Sequence, residues 1–356
     1  MNQLKLLYIF VKEYKKLLNQ EYQFSDEYDI CTEFDDEIVL SIHKKSVSKK
    51  NIFYGKNFNF TAITGSNGSG KTTVLKCLSG KNVKKIIIFL DVNTNELYCY
   101  SDFKYNSAIN MIPLKKYEPF YYLSPLDIIQ QNNNSNLCPG EIISQNFLKE
   151  VNRLISCGVT NFCFDEIDIF LHPEIQKYFV FGIYTFFKKV LSTENYKICC
   201  FNILLTTKSP MVLSDFDKNN IIFLKRNNCS PNTISNNVSR SNSKLTNSFA
   251  GNIYENFRYV FNIKRPYGYL GETVIKNLIN FLYPNSQILT DSKKELLSKQ
   301  KNKVPDYVIT EKPEPNTFNL IENSEDARFF INIIGEKVFK NMLREEFDRI
   351  YTPCKK

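Results

Sequence analysis

The chain has 356 residues, of which 43% are hydrophobic and 14% aromatic, with 29 Phe, 21 Tyr and no Trp. Domains commonly hold about 100–200 residues, so one large or two ordinary domains are expected, and the apolar content excludes global disorder. Lys and Arg outnumber Asp and Glu by 46 to 37, a net charge of +9 that permits a nucleic-acid or acidic partner and equally suits a plain solvated surface.

In chain order, residues 4–11 (LKLLYIFV) and 38–43 (IVLSIH) read as strands, and Phe58–Thr64 (FNFTAIT) as a third that runs into a glycine-rich turn. TTVLKCLSG then has helical spacing and stops at Gly80. KKIIIFLDV and ELYCYSDF are strand-like runs separated by Asn93-Thr94-Asn95, which predicts a hairpin. Phe120–Leu123 reads as a short strand, 130–136 as a polar loop and 141–156 as an amphipathic helix. VTNFCF predicts another strand, residues from about 173 to 190 a helix, and ICCFNILLTT a further strand. Strands alternating with helices predict an α/β fold with a largely parallel sheet. Residues 226–248 form an Asn/Ser-rich loop, and the remainder reads as mainly helical, with a proline-bearing break near 301–316.

The longest nearly unbroken apolar run, Tyr178–Phe187, is far short of the ~20 residues that cross a bilayer, so no membrane partner is expected. The opening MNQLKLLYIFVKEYKK lacks a small-residue cleavage site, and Lys12 and Glu13 interrupt its apolar stretch, which argues against a signal peptide and for a cytoplasmic location. The 10 cysteines are scattered without a CxxC pair, and His43 and His172 are the only histidines. Free buried thiols in a reducing compartment are therefore expected, rather than disulfides or a zinc site.

Glycine is scarce, with 12 in the chain, yet Gly65-Ser66-Asn67-Gly68-Ser69-Gly70-Lys71-Thr72 fits G-x-x-x-x-G-K-[ST] at every fixed position. Glycines let successive backbone N–H groups curl around phosphate oxygens, and the helix beyond them offers its N-terminus to the anion. Lys71 is expected at the β- and γ-phosphates of ATP, Thr72 on Mg²⁺, and Thr73 beside them in the first helical turn. A P-loop needs a second metal anchor at the end of an apolar strand, and Phe162-Cys163-Phe164-Asp165-Glu166 supplies one. Asp165 is assigned to the metal, and Glu166 to the general base that polarises attacking water.

With those motifs in place, DEIDIFLHPEIQKYF (165–179) and ILLTTKSPMVLSDFDKNNIIFL (203–224) resemble the ABC-type ATPases that include RecF and the heads of SMC proteins. Together with LKLLYIFVKEYKKLLNQEYQFS, FNFTAITGSNGSGKTTVL and SFAGNIYENF (248–257), they are most similar to compact bacterial ABC-like AAA ATPases of anti-phage systems such as Septu and ATPase-bearing retrons. The resemblance implies a P-loop NTPase with an ABC-like mixed sheet over residues 1–262. It places a helical signature subdomain at about 104–158 and a mainly helical C-terminal extension at 263–356.

It also implies a signature motif, matched by Leu137-Cys138-Pro139-Gly140-Glu141. Cys138, Gly140 and Glu141 would then meet the γ-phosphate of ATP held by an opposite subunit. Cys138 stands where the family has serine, and a thiol is the weaker donor. His172, in Leu171-His172-Pro173, falls on the family's inter-subunit loop, where a plain helix-capping turn is the other reading. Lys208, in Thr206-Thr207-Lys208-Ser209-Pro210, replaces the family's switch histidine. It keeps a phosphate-binding charge without imidazole's acceptor, so slow hydrolysis is expected. For the Q-loop, Ser124, Gln130 and Gln131 are the candidates.

Only 66 residues separate Gly70 from Leu137, with no heptad run, so a compact head without coiled-coil arms is expected. Basic stretches at Lys81–Lys85, Lys293-Lys294, Lys299, Lys301 and Lys303 suit phosphate backbones or, more simply, solvated faces. The resemblance implies a homodimer closed over two ATP·Mg²⁺ that gates a separate effector, a nuclease or toxin. A non-hydrolysing nucleotide switch and a RecF-like DNA-repair ATPase stand as the alternatives.

Overall fold

The computed structural model describes residues 4–15, 17–25, 27–34, 37–45, 57–80, 83–130, 137–193, 200–226, 234–237, 249, 269–282, 321–334 and 337–351. Lys81, Gln131, Lys293, Lys294, Lys299, Lys301, Lys303, the break near 301–316, and most of the 130–136, 226–248 and 248–257 segments lie outside them. The chain divides into two compact units, Met1–Lys264 and Arg265–Lys356.

Among the described residues the first unit holds three sheets. One is a five-stranded, mainly antiparallel sheet of β1 (Leu4–Tyr14), β2 (Leu17–Gln23), β6 (Lys84–Asp91), β7 (Leu97–Ser101) and β9 (Ile112–Pro113), in the order β2-β1-β6-β7-β9. A small sheet joins β3 (Tyr28–Phe34), β4 (Ile38–Lys44) and β8 (Asn106–Ser107). The third contains β5 (Phe58–Gly65), β10 (Tyr121–Leu123), β11 (Asn161–Asp165), β12 (Phe201–Thr206), β13 (Ile221–Arg226) and β14 (Ile234–Asn237). Its order is β10-β11-β12-β5-β13-β14, parallel except where β14 pairs antiparallel with β13. The fold is therefore mixed α/β, and the largely parallel sheet expected from the alternation is one sheet of three. Residues 17–34 escaped a strand reading because polar residues interrupt them, and β14 lies within the stretch read as loop. Residues 106–123 contribute β8 to β10, so the helical part of 104–158 begins only at α2 (Pro125–Gln130).

Alternation along the parallel strands builds a core on each side of the third sheet. Phe60, Ala62, Phe162, Phe164, Ile203 and Leu205 face α3 (Pro139–Ser156) and α4 (Pro173–Leu191). Val212 and Leu213 of the short α5 (Pro210–Leu213) join that core. Ile63, Cys163, Leu204 and Ile222 face the other way, onto α1 (Lys71–Ser79) and the inner side of the antiparallel sheet. In β1 the pairing with β6 slips between Leu6 and Tyr8, so Leu7 and Tyr8 turn to the same outer core while Leu6 and Ile9 stay on the inner one. That outer core packs the antiparallel sheet against Ile30, Leu40 and Ile42 of the small sheet. The expected hairpin is present: β6 and β7 pair antiparallel, and Asp91 Oδ1 accepts the N–H groups of Asn93 and Thr94.

A buried amide ladder stitches β1 to the parallel sheet. Asn161, Asn202 and Asn59 share one rung across β11, β12 and β5. Asn202 donates to the Leu4 carbonyl and to Asn161 Oδ1, both at 2.8 Å, and accepts the Leu6 N–H at 2.8 Å. Asn59 donates to the Leu6 carbonyl at 2.8 Å. These bonds satisfy backbone groups of β1 that would otherwise be buried bare.

In the second unit the described residues form α6 (Tyr269–Leu282), α7 (Ser324–Ile333) and α8 (Lys337–Tyr351), packed through Leu278, Ala327, Ile331 and Leu343. Among the described residues no helix is long and apolar enough to cross a membrane. Cys77, Cys99, Cys163 and Cys200 are buried free thiols, whereas Cys31, Cys138 and Cys157 are exposed, which corrects the expectation that the cysteines are buried.

The ladder yields a stability prediction. Asn202→Ala leaves Leu4 and Leu6 backbone groups unpaired in the core, and we expect a loss of about 2–4 kcal/mol in denaturant unfolding.

Candidate functional site

β5 is buried along its whole length and ends at Gly65, where the chain turns sharply. A Cβ at Gly65 would sit 2.2 Å from the Leu224 carbonyl oxygen, and its φ of 146° suits glycine alone. Gly70, at φ 98°, then lets α1 start at Lys71. Ser66, Asn67 and Gly68 form the exposed tip of the loop, and Thr73 is half-buried in the first helical turn. Lys71 is only 5% exposed, and its Nζ donates to the carbonyls of Gly65 at 2.9 Å and Ser66 at 3.2 Å. Burial, and next the Lys208 ammonium, draw its pKa down to about 8 against the opposing pull of Glu166 and Asp165. The Ser69 hydroxyl is buried beneath the loop with no hydrogen-bond partner among the described residues.

Because β12 lies between β5 and β11, three strand ends and one helix start converge at the C-terminal edge of the sheet. Asp165 ends β11 and accepts three hydroxyls: Thr72 at 2.8 Å and Tyr122 at 2.5 Å on Oδ2, and Thr206 at 2.6 Å on Oδ1. Glu166 comes next in a left-handed conformation, φ 51°, its N–H bonded to the Thr206 carbonyl and hydroxyl. Its carboxylate meets Lys208 Nζ at 2.8 Å on Oε1 and 3.0 Å on Oε2, with Lys71 Nζ at 3.9 Å. The structure thus brings together Lys71, Thr72, Asp165, Glu166 and Lys208. Tyr122 and Thr206 belong to the same group and were not singled out from sequence. Their one signal is a hydroxyl at or near the end of a short strand.

The Cys138, Gly140 and Glu141 segment makes its described contacts within its own turn and with the 3₁₀ turn Ile167–Phe170, apart from the Lys71–Asp165 group. Cys138 caps α3: its thiol accepts the Glu141 N–H, while Glu141 Oε2 accepts the Cys138 N–H at 2.9 Å. That bond holds the Glu141 carboxyl below its usual range. Gly140 packs so tightly that a Cβ would lie 2.5 Å from the Phe170 carbonyl oxygen. His172 is the N-cap of α4, its Nδ1 accepting the Glu174 N–H at 3.2 Å, which is the helix-capping reading.

Ser124, just before α2, donates its N–H and hydroxyl to Asp127 Oδ2, and Gln130 is exposed at the far end of that helix. Lys85, read as part of a surface basic stretch, is 1% exposed and donates to the Cys77 and Gly80 carbonyls at the end of α1. It is therefore absent from any basic surface.

No family model matches the chain, and no curated protein matches it. Among solved structures, the SMC head domain from Thermotoga maritima aligns with 63% of this chain and 96% of its own length, at 13% identity and a TM-score of 0.28. Likeness at that level assigns neither fold nor chemistry, and the firmer guide to the chemistry is the geometry of the site itself.

The donor set fits a polyphosphate with a hard divalent cation. The loop lysine is charged and buried, Ser69 has an unspent hydroxyl, and Thr72 and Asp165 present oxygen ligands 2.8 Å apart.

Behind the site, Asp168 is 3% exposed; Oδ2 accepts the Thr207 hydroxyl at 2.6 Å, and Oδ1 has no partner among the described residues. Burial raises its carboxyl from 3.8 to about 6. The unfolded chain therefore ionises first, and the group's contribution to stability, complete below its ordinary pKa, is lost as pH rises through about 6. Asp168→Asn keeps an acceptor for Thr207. Its thermal unfolding should lose the wild-type fall between pH 4 and 6 and exceed wild type at pH 8 by about 3 kcal/mol or less.

Proposed function

We propose that this chain binds ATP with Mg²⁺ and hydrolyses it. The observation that carries the reading is the 2.8 Å hydrogen bond from Thr72 at the P-loop helix start to the strand-end carboxylate of Asp165, beside the buried Lys71. Thr72 and Asp165 would hold the Mg²⁺ ion, whose charge offsets that of the β- and γ-phosphates. Lys71 would pair with the same phosphates, and the α1 N-terminus would face them. Glu166, held by its N–H on Thr206, would accept a proton from the attacking water.

Steady-state phosphate release tests the reading: Lys71→Ala and Asp165→Ala should each cut turnover by ~100-fold or more. Nucleotide binding without turnover in the wild type would favour the switch reading instead, which the Lys208–Glu166 ion pair supports by occupying the base.

The finer reading is an ATP-dependent homodimer in which Cys138, Gly140 and Glu141 of one copy close on the P-loop of the other. Its support is exposed apolar side chains: Ile169 (53%) and Phe170 (47%) in the turn that Gly140 packs against, and Tyr178 (62%) and Phe181 (64%) on α4. A separate effector, a nuclease or toxin of anti-phage defence, rests only on the resemblance of the 165–179 and 203–224 segments. With saturating ATP, Glu166→Gln should double the mass seen by light scattering, and a persistent monomer would contradict the dimer.

A further inference from the structure

The position two residues beyond β12 carries a charge that the ATP reading leaves without a settled task. Pairing sets Asp165 opposite Thr206 on adjacent parallel strands, so Glu166 and Lys208, just beyond them, leave the sheet side by side. Lys208 Nζ reaches both oxygens of the Glu166 carboxylate, at 2.8 and 3.0 Å, closer than Lys71 at 3.9 Å. Both oxygens of the carboxylate are thus engaged by one ammonium, which stands between them and any approaching water. The pair is also weak: the side chains are 42% and 23% exposed, and ion pairs open to water contribute little to stability. A bond of that size does not hold the fold together, and a nearby multivalent anion breaks it readily.

Resting on the ATP reading, we infer that Lys208 is an exchangeable latch on Glu166, released when the γ-phosphate of a triphosphate competes for the ammonium. The base is then freed only where a substrate is seated. A diphosphate, which lacks the competing group, leaves the latch closed. Lysine suits the exchange because its ammonium is a rotatable point charge on a flexible stem and can move between two anions.

The test is a double-mutant cycle read by equilibrium binding of magnesium ATPγS and magnesium ADP to wild type, Glu166→Gln, Lys208→Met and the double variant. In wild type Lys208 must leave Glu166 to meet the γ-phosphate, so its contribution is partly spent; in Glu166→Gln it is not. Lys208→Met should therefore cost about tenfold in ATPγS affinity in the Glu166→Gln background and under about threefold in wild type, with ADP unchanged in both. Lys208→Arg in the Glu166→Gln background should retain the affinity, which separates loss of charge from loss of structure. Equal losses in the two backgrounds, or a loss as large for ADP, would overturn the latch while leaving nucleotide binding intact. Failure of wild type to bind either nucleotide would overturn the ATP reading itself, and the latch with it.

Discussion

The C-terminal edge of the parallel sheet hangs on one carboxylate. Asp165 gathers hydroxyls from the start of α1, from β10 and from β12, and so fixes the helix after the P-loop against two strands it never pairs with. Three hydrogen bonds are what a nearly buried carboxylate needs, since an ionised oxygen left bare in that setting costs several kcal/mol. Thr206 also receives the N–H of Glu166, so the residue next to Asp165 is aimed by the same contact.

Charge balance is the second constraint. Lys71 and Lys208 converge on a region whose anions are Asp165 and Glu166, and burial first, then the Lys208 charge, draws the pKa of Lys71 down. A polyphosphate would relieve that repulsion, whereas a neutral ligand would leave it in place. Burial of Lys71 would sharpen that preference, because an ammonium stripped of water gains most from a multivalent anion. Its two carbonyl bonds, to Gly65 and Ser66, keep it aligned along the loop.

Much of this was legible in the chain because it rests on local rules. The P-loop spacing, the apolar strand that ends in Asp165-Glu166, and the Asn93-Thr94-Asn95 hairpin each depend on a few neighbouring residues. Contacts made across strands were not legible. Tyr122 and Thr206 reach Asp165 only because β10 and β12 flank β11, and no spacing in the sequence records that order. Lys85 misled for a similar reason: it sits in a basic run, yet its neighbours in space are the last carbonyls of α1, which draw it inside. The parallel pattern was overextended at β1, which has the apolar run of a buried strand but pairs antiparallel with both β2 and β6. His172, placed on an inter-subunit loop by resemblance, also caps α4, its Nδ1 accepting the Glu174 N–H.

The central claim is that Lys71, Thr72 and Asp165 form one pocket for a nucleotide and its metal. Titration calorimetry of the purified chain with ATP, with and without magnesium, addresses it most directly. The account predicts saturable uptake of one nucleotide per chain that weakens when magnesium is chelated and vanishes in Lys71→Ala. No heat of binding in the wild type, or uptake indifferent to both changes, would contradict it.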